Sequence, residues 1–99
     1  MKELLVTSAQ TEKRQLILCE ELSQPNVRYE LFADRTEDSE YPYSFGVSVE
    51  CGEQEACIAD ITENSEYARE LFERIKLYMV MPSELEYIVE DYLCEKYTV

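Results

Sequence analysis

The sequence predicts an α+β domain: an antiparallel β-meander of four to five strands followed by two C-terminal helices packed on one sheet face. Two observations carry this. Upstream of Thr62 the apolar residues fall in short, alternating runs, and downstream they recur at helical spacing. Polar, charged or turn-prone stretches separate the runs. The chain has 99 residues, 45% of them apolar, which is one domain's worth with a thin core. Residues 1–99 are therefore read as a single domain, with a sheet part at 1–61 and a two-helix part at 62–99.

The strand-like runs are residues 4–7, 15–19, 27–33, 43–51 and 56–61. The first, Leu4 to Thr7, either pairs with 15–19 through Gln10-Thr11-Glu12-Lys13 or is a loose arm. In the third run Val27, Tyr29, Leu31 and Ala33 share one face. In the fourth, Phe45, Val47, Val49 and Cys51 do the same, opposite Ser44, Gly46, Ser48 and Glu50. This alternation describes a sheet buried on one side and wet on the other. The acidic stretch Asp34 to Glu40 reads as an exposed, mobile hairpin loop. It lacks the carboxylate spacing and the glycine of a calcium loop. Gly52-Glu53-Gln54-Glu55 reads as a second hairpin loop. A five-residue loop would set Cys51 opposite Cys57, and a four-residue loop would set Cys51 opposite Ala56 and Val49 opposite Ile58. A one-residue slip exchanges the faces, so both registers stay open.

Tyr67, Ala68, Leu71, Phe72, Ile75, Tyr78 and Met79 lie on one face of a first helix. Thr62, Asn64 and Ser65 are candidate caps for it, and Glu70 with Arg74 forms an i,i+4 pair. Ser83-Glu84-Leu85-Glu86 has the pattern of a capping box, with Ser83 as the cap of a second helix. Placing Pro82 at the first helical position would move the cap to Met81, a poor cap, so Ser83 is favoured. Leu85, Ile88, Val89, Tyr92 and Leu93 form the apolar stripe of that helix.

Composition restricts function more than any motif does. There are 22 acidic residues against 9 basic ones, a net charge of −13, and no histidine. Nucleic-acid binding rests on Lys and Arg neutralising phosphates, so a nucleic-acid partner is not expected. The charge is spread, at −8 in residues 1–61 (13 acidic, 5 basic) and −5 in residues 62–99 (9 acidic, 4 basic). No apolar run reaches the ~18–20 residues of a membrane span. The N-terminus lacks a signal-peptide pattern, so no membrane is expected and a cytoplasmic location is. Cys19, Cys51, Cys57 and Cys94 are then expected as free thiols, mostly buried. The only near pair, Cys51 and Cys57, is too widely spaced for a zinc knuckle, and no metal or cofactor is expected.

One set of residues resembles a family of short, uncharacterised bacterial proteins. It comprises Tyr29-Glu30-Leu31-Phe32, the acidic loop, Tyr43 to Val49 around Gly46, Ile58-Ala59-Asp60-Ile61-Thr62, and Pro82 to Leu93. The resemblance spans about residues 27–95, and Phe45-Gly46-Val47 replaces the usual Tyr-Gly-Ile. It implies a cytoplasmic bacterial α+β domain and no catalytic residues.

Catalysis is not expected. The cysteines have no histidine to activate them. The carboxylate pairs Glu20-Glu21, Glu53 with Glu55, and Glu90-Asp91 suit a solvated face in so acidic a chain. The remaining bias is toward Tyr and Met, which are enriched at interfaces. Tyr41 and Tyr43 flank the acidic loop, and Tyr78, Met79 and Met81 form an apolar joint between the helices. Completion of a small core that lacks Trp is the favoured reading of that joint, and a contact surface for a copy of itself or another protein is the other. The expected role is a non-catalytic interaction or regulatory module that binds a protein or a copy of itself. The alternatives are an acidic nucleic-acid mimic that fills a basic protein groove and an enzyme whose site is assembled in an oligomer.

Overall fold

The computed structural model describes residues 14–23 and 26–97. The apolar run at 4–7 lies outside them. Four strands, β1 (Arg14–Ser23), β2 (Asn26–Arg35), β3 (Tyr43–Cys51) and β4 (Gln54–Thr62), form an antiparallel meander in the order β1-β2-β3-β4. Helix α1 (Ser65–Leu77), a 3-10 turn (Pro82–Glu84) and helix α2 (Leu85–Tyr97) follow. The expected α+β architecture is the observed one.

The core lies between the sheet and the helices. Val27, Tyr29 and Leu31 of β2 and Val47 and Val49 of β3 meet Ala68, Leu71, Phe72 and Ile75 of α1, together with Val80, Leu85, Val89 and Tyr92. These are the alternating strand positions and the helical stripes that periodicity marks out. Asn64 caps α1, its Oδ1 accepting from the backbone N–H of Glu66 at 2.9 Å and of Tyr67 at 3.0 Å. Thr62 accepts from the Asn64 N–H at 3.0 Å and bonds the Tyr97 hydroxyl at 2.5 Å. The last turn of α2 is thereby tied to the start of α1.

The β3–β4 hairpin is tighter than either expected register. Cys51 pairs with Gln54, Val49 with Ala56 and Val47 with Ile58, so only Gly52 and Glu53 form the loop. Gly52 has φ +61 and Glu53 has no positive φ, the signature of a type II′ turn. Farther on, Phe45 pairs with Thr62, so Gly46 alone faces Ala59, Asp60 and Ile61. This bulge holds Asp60 at φ +56, and its carboxylate accepts from Ser44 Oγ at 2.6 Å.

The second helix also starts differently. Pro82 occupies the first helical position and Met81 is the cap residue. The Glu84 N–H donates to the Met81 carbonyl at 2.9 Å, and the Glu84 carboxylate accepts from the Met81 N–H at 2.9 Å. Proline's fixed φ suits that position, and Glu84 supplies the reciprocal bond, so no capping side chain at Ser83 is needed. The expected Glu70–Arg74 pair is also not the one formed. Arg74 reaches across to Glu95 at 3.2 Å, while Glu70 takes Lys96 at 2.9 Å.

The cysteines correct another expectation. Cys19, Cys57 and Cys94 are exposed and Cys51 is half-buried, all as free thiols. Cys19 and Cys57 stand on the sheet face that the helices do not cover, in register with Glu30 and Ser48. Buried Phe32 lies on that same face. Arg14 stacks over its ring at 4.0 Å while clamping Asp34 through two bonds of 2.7 and 2.9 Å.

Candidate functional site

The joint between the helices is built by the way α1 ends. The Tyr78 N–H still donates to Arg74, and Met79 then turns left-handed at φ +51. Its N–H donates to the Lys76 carbonyl at 3.1 Å, and the Val80 N–H donates to the Ile75 carbonyl at 3.0 Å. This is a Schellman motif, completed by burial of Ile75 and Val80 in the core. Glycine is the usual residue at its left-handed position, and a side chain there costs roughly 1 kcal/mol.

The motif divides the apolar joint in two. Val80 and Pro82 are buried, and Met81 is half-buried against the core. Leu77, Tyr78 and Met79 are turned outward, with 75, 64 and 45% of their surfaces exposed. Met81 therefore serves packing, while Tyr78 and Met79 remain open to contact. Tyr41 and Tyr43 are exposed at the other end of the sheet, where Arg35 pairs with Tyr43. The structure does not bring them together with the helix joint.

Leu77 escaped the sequence reading because it falls off the apolar stripe of α1. An apolar residue on the wet side of a helix was the available signal. Beside it a groove of about 310 Å³ runs between α1 and β1, lined by Glu20, Leu22, Tyr29, Glu73, Lys76 and Leu77. Lys76 bridges its rim, bonded to Glu73 at 2.9 Å and to Glu20 of β1. These two carboxylates hold its ammonium above the ordinary lysine range. Tyr29 lies fully buried along the groove, and its hydroxyl finds no protein partner among the described residues. Burial pushes that phenol up.

A second hollow of about 290 Å³ lies on the uncovered sheet face, between Arg14, Leu16, Glu30, Phe32, Ser48, Glu55 and Cys57. Arg14 Nη1 sits 3.9 Å from Cys57 Sγ. Partial desolvation in this hollow nonetheless outweighs the guanidinium and raises the Cys57 pKa, although the residue as a whole is exposed. No cluster of His, Cys, Asp and Glu among the described residues has the arrangement of a metal site. No helix among them is long and apolar enough to cross a membrane.

Met79→Gly is expected to stabilise the fold by about 1 kcal/mol, because only glycine meets a left-handed φ without strain. That corresponds to a rise of roughly 4–8 °C in Tm by differential scanning calorimetry. A fall in Tm would mean that the Met79 side chain contributes more packing than its exposure indicates.

Neither a curated protein nor a solved structure matches the chain. Residues 7–95 match the profile of a family of unknown function, DUF6514. The match extends the resemblance read from residues 27–95 upstream through β1. The protein belongs to this family.

Proposed function

We propose that the protein is a non-catalytic interaction or regulatory module whose contact surface centres on the joint between α1 and α2. The observation that carries this reading is the run Leu77-Tyr78-Met79, three consecutive apolar side chains left exposed where α1 ends and the backbone turns left-handed at Met79. They are exposed in a chain of net charge −13. Burying a side chain of this size in an interface gains roughly 1.5–3 kcal/mol, so three adjacent ones make an energetic centre for a modest contact. Retaining Met where Gly would relieve strain fits a residue kept for what its side chain touches.

The test is to place a photo-crosslinking amino acid at position 78 of the full chain, in the cell that makes it. One discrete adduct is expected. Tyr78→Glu, which alters an exposed side chain, is expected to abolish partner binding while leaving the circular dichroism spectrum and Tm in place. A chain that stays strictly monomeric, gives no adduct and behaves identically with Tyr78→Glu would overturn the reading.

A further inference from the structure

Strand β1 ends the sheet, and among the described residues nothing pairs with its outer edge. It is long, ten residues, and almost all of it is exposed, Leu16 and Ile17 included. Such an edge is a template for another strand unless something guards it. The groove lined by Leu22, Tyr29 and Leu77 runs along the helix side of this same strand. An edge unpaired among the described residues, beside a groove with Leu22, Tyr29 and Leu77 between charged side chains, is the arrangement that strand-adding domains use. Main-chain bonds supply affinity there, and a pocket receives alternate side chains.

The charges beside the edge choose between occupants. On the helix side of the β1–β2 hairpin, Lys76 serves both Glu20 and Glu73. On the opposite side, Arg28 serves both Glu21, at 2.8 Å, and Glu30, at 4.0 Å. Near the turn of the hairpin, away from the Arg14–Asp34 pair, each face thus has one cation between two carboxylates, leaving one negative charge unbalanced. An added strand alternates its side chains between those two faces, so cationic residues would find a partner on either side. A second copy of this chain carries −13 and is repelled at long range, whereas a basic segment is attracted.

We infer that the outer edge of β1 receives an extended, positively charged segment of a partner protein, which adds as a further strand and lowers an apolar side chain into the groove between Leu22, Tyr29 and Leu77. This inference rests on the interaction-module reading and narrows it to one edge and one class of partner. Association of this kind brings the segment directly beneath Leu77, so the exposed joint and the edge form one continuous surface.

The probe is an eight-residue, end-capped peptide of alternating lysine and leucine, titrated into the full-length protein and followed by backbone amide NMR. Shifts are expected in the amides of residues 18–23 and around Leu77, with hydrogen-exchange protection appearing along β1. The same peptide N-methylated at alternate residues keeps its charge and loses the main-chain donors, and it is expected to bind at least about tenfold more weakly. Leu77→Ser is expected to weaken the unmodified peptide severalfold. Equal binding of both peptides would reduce the effect to charge alone and overturn the inference, as would absence of binding. Protection of the outer β1 amides before any peptide is added would also overturn it, because the edge would already be taken by residues 1–13 or by a second copy. If these results fail while crosslinking from position 78 still yields a discrete adduct, the module reading stands without strand addition.

Discussion

Replacing Gly46 by alanine is expected to destabilise the protein by about 3 kcal/mol, lowering Tm by more than about 10 °C. The reason is geometric. A methyl group on Gly46 would lie 2.5 Å from the Ile58 carbonyl oxygen and 2.6 Å from the edge of the Phe32 ring. Both neighbours are held. Ile58 is the last paired residue before the β4 bulge, so its carbonyl cannot move without the ladder. Phe32 is buried between Leu16, with which it pairs, and the Arg14 guanidinium stacked on its ring. Truncating Phe32 relieves only one of the two collisions. The double variant Gly46→Ala with Phe32→Leu is therefore expected to recover part of the loss and no more. Chemical denaturation of the four proteins measures this as a double-mutant cycle. A Gly46→Ala variant with unchanged Tm would show that the bulge opens freely. The close approach at Gly46 would then be incidental.

The Gly46 contact also shows where the sequence is legible and where it is not. Both apolar helix stripes could be read because each repeats a 3.6-residue period over three turns, and the buried residues of α1 and α2 lie on them. The wet face of the sheet could be read only as polar alternation, and nothing in that alternation marks Phe32, at a polar-face position, as buried. Its burial depends on Arg14, eighteen positions away and brought alongside by pairing of β1 with β2. The β3–β4 register was beyond reach for a similar reason. A loop of Gly52 and Glu53 alone depends on the left-handed glycine, and the two extra residues in β4 depend on the space above Gly46. Periodicity has no term for either. The ion pairs went the same way. Glu70 and Arg74 have correct local spacing, yet each finds a better partner on α2, because tertiary contact brings Lys96 and Glu95 within reach.

The candidate site was half legible. Tyr78 and Met79 stood out by type, but their pattern placed them on the buried stripe of α1. They are exposed where the helix stops at Leu77 and the chain turns left-handed two residues later, at Met79. Without glycine at that position the sequence carries no stop signal there, and the strain at Met79 is the cost of the missing glycine. Leu77, the last residue of the helix, lines the groove beside β1. The end of α1 and strand β1 thus meet in one groove.

Two tyrosines buried to the same degree are expected to respond oppositely to loss of their hydroxyls. Tyr92 and Tyr29 are both fully buried. The Tyr92 hydroxyl donates to Glu70 Oε1 at 2.6 Å, and the ring lies under the Arg74 guanidinium at 4.9 Å. Tyr92→Phe is expected to cost about 1 kcal/mol, the low end for a bond to a charged acceptor, because Glu70 is open to water and rehydrates. Tyr29→Phe removes a hydroxyl with no protein partner and is expected to leave stability unchanged or slightly raised. Tyr92→Ala empties the space between α1 and α2 and is expected to cost about 3–5 kcal/mol, a large part of a small domain's stability. The Tyr92 bond also sets the pH response. The Tyr92 hydroxyl and then Lys96 hold the Glu70 carboxyl below the usual carboxylate range, and Arg74 does the same for Glu95. In the unfolded chain these groups titrate near about 4.3. Their contribution is therefore complete above that pH and is lost as pH falls through the lower folded values. The Tyr92 phenol shifts the other way, pushed up by burial and by its bond to Glu70. Its contribution is complete below the unfolded value of about 10 and is lost as pH rises beyond it. Urea midpoints measured from pH 3 to 11 should fall on both sides of a neutral plateau. Tyr92→Phe should flatten the alkaline fall and reduce the acid one, while Tyr29→Phe should leave the acid limb as it is. If the two variants have the same acid limb, Tyr92 does not hold Glu70 down, and the link between α1 and α2 rests on the Lys96 and Arg74 ion pairs alone.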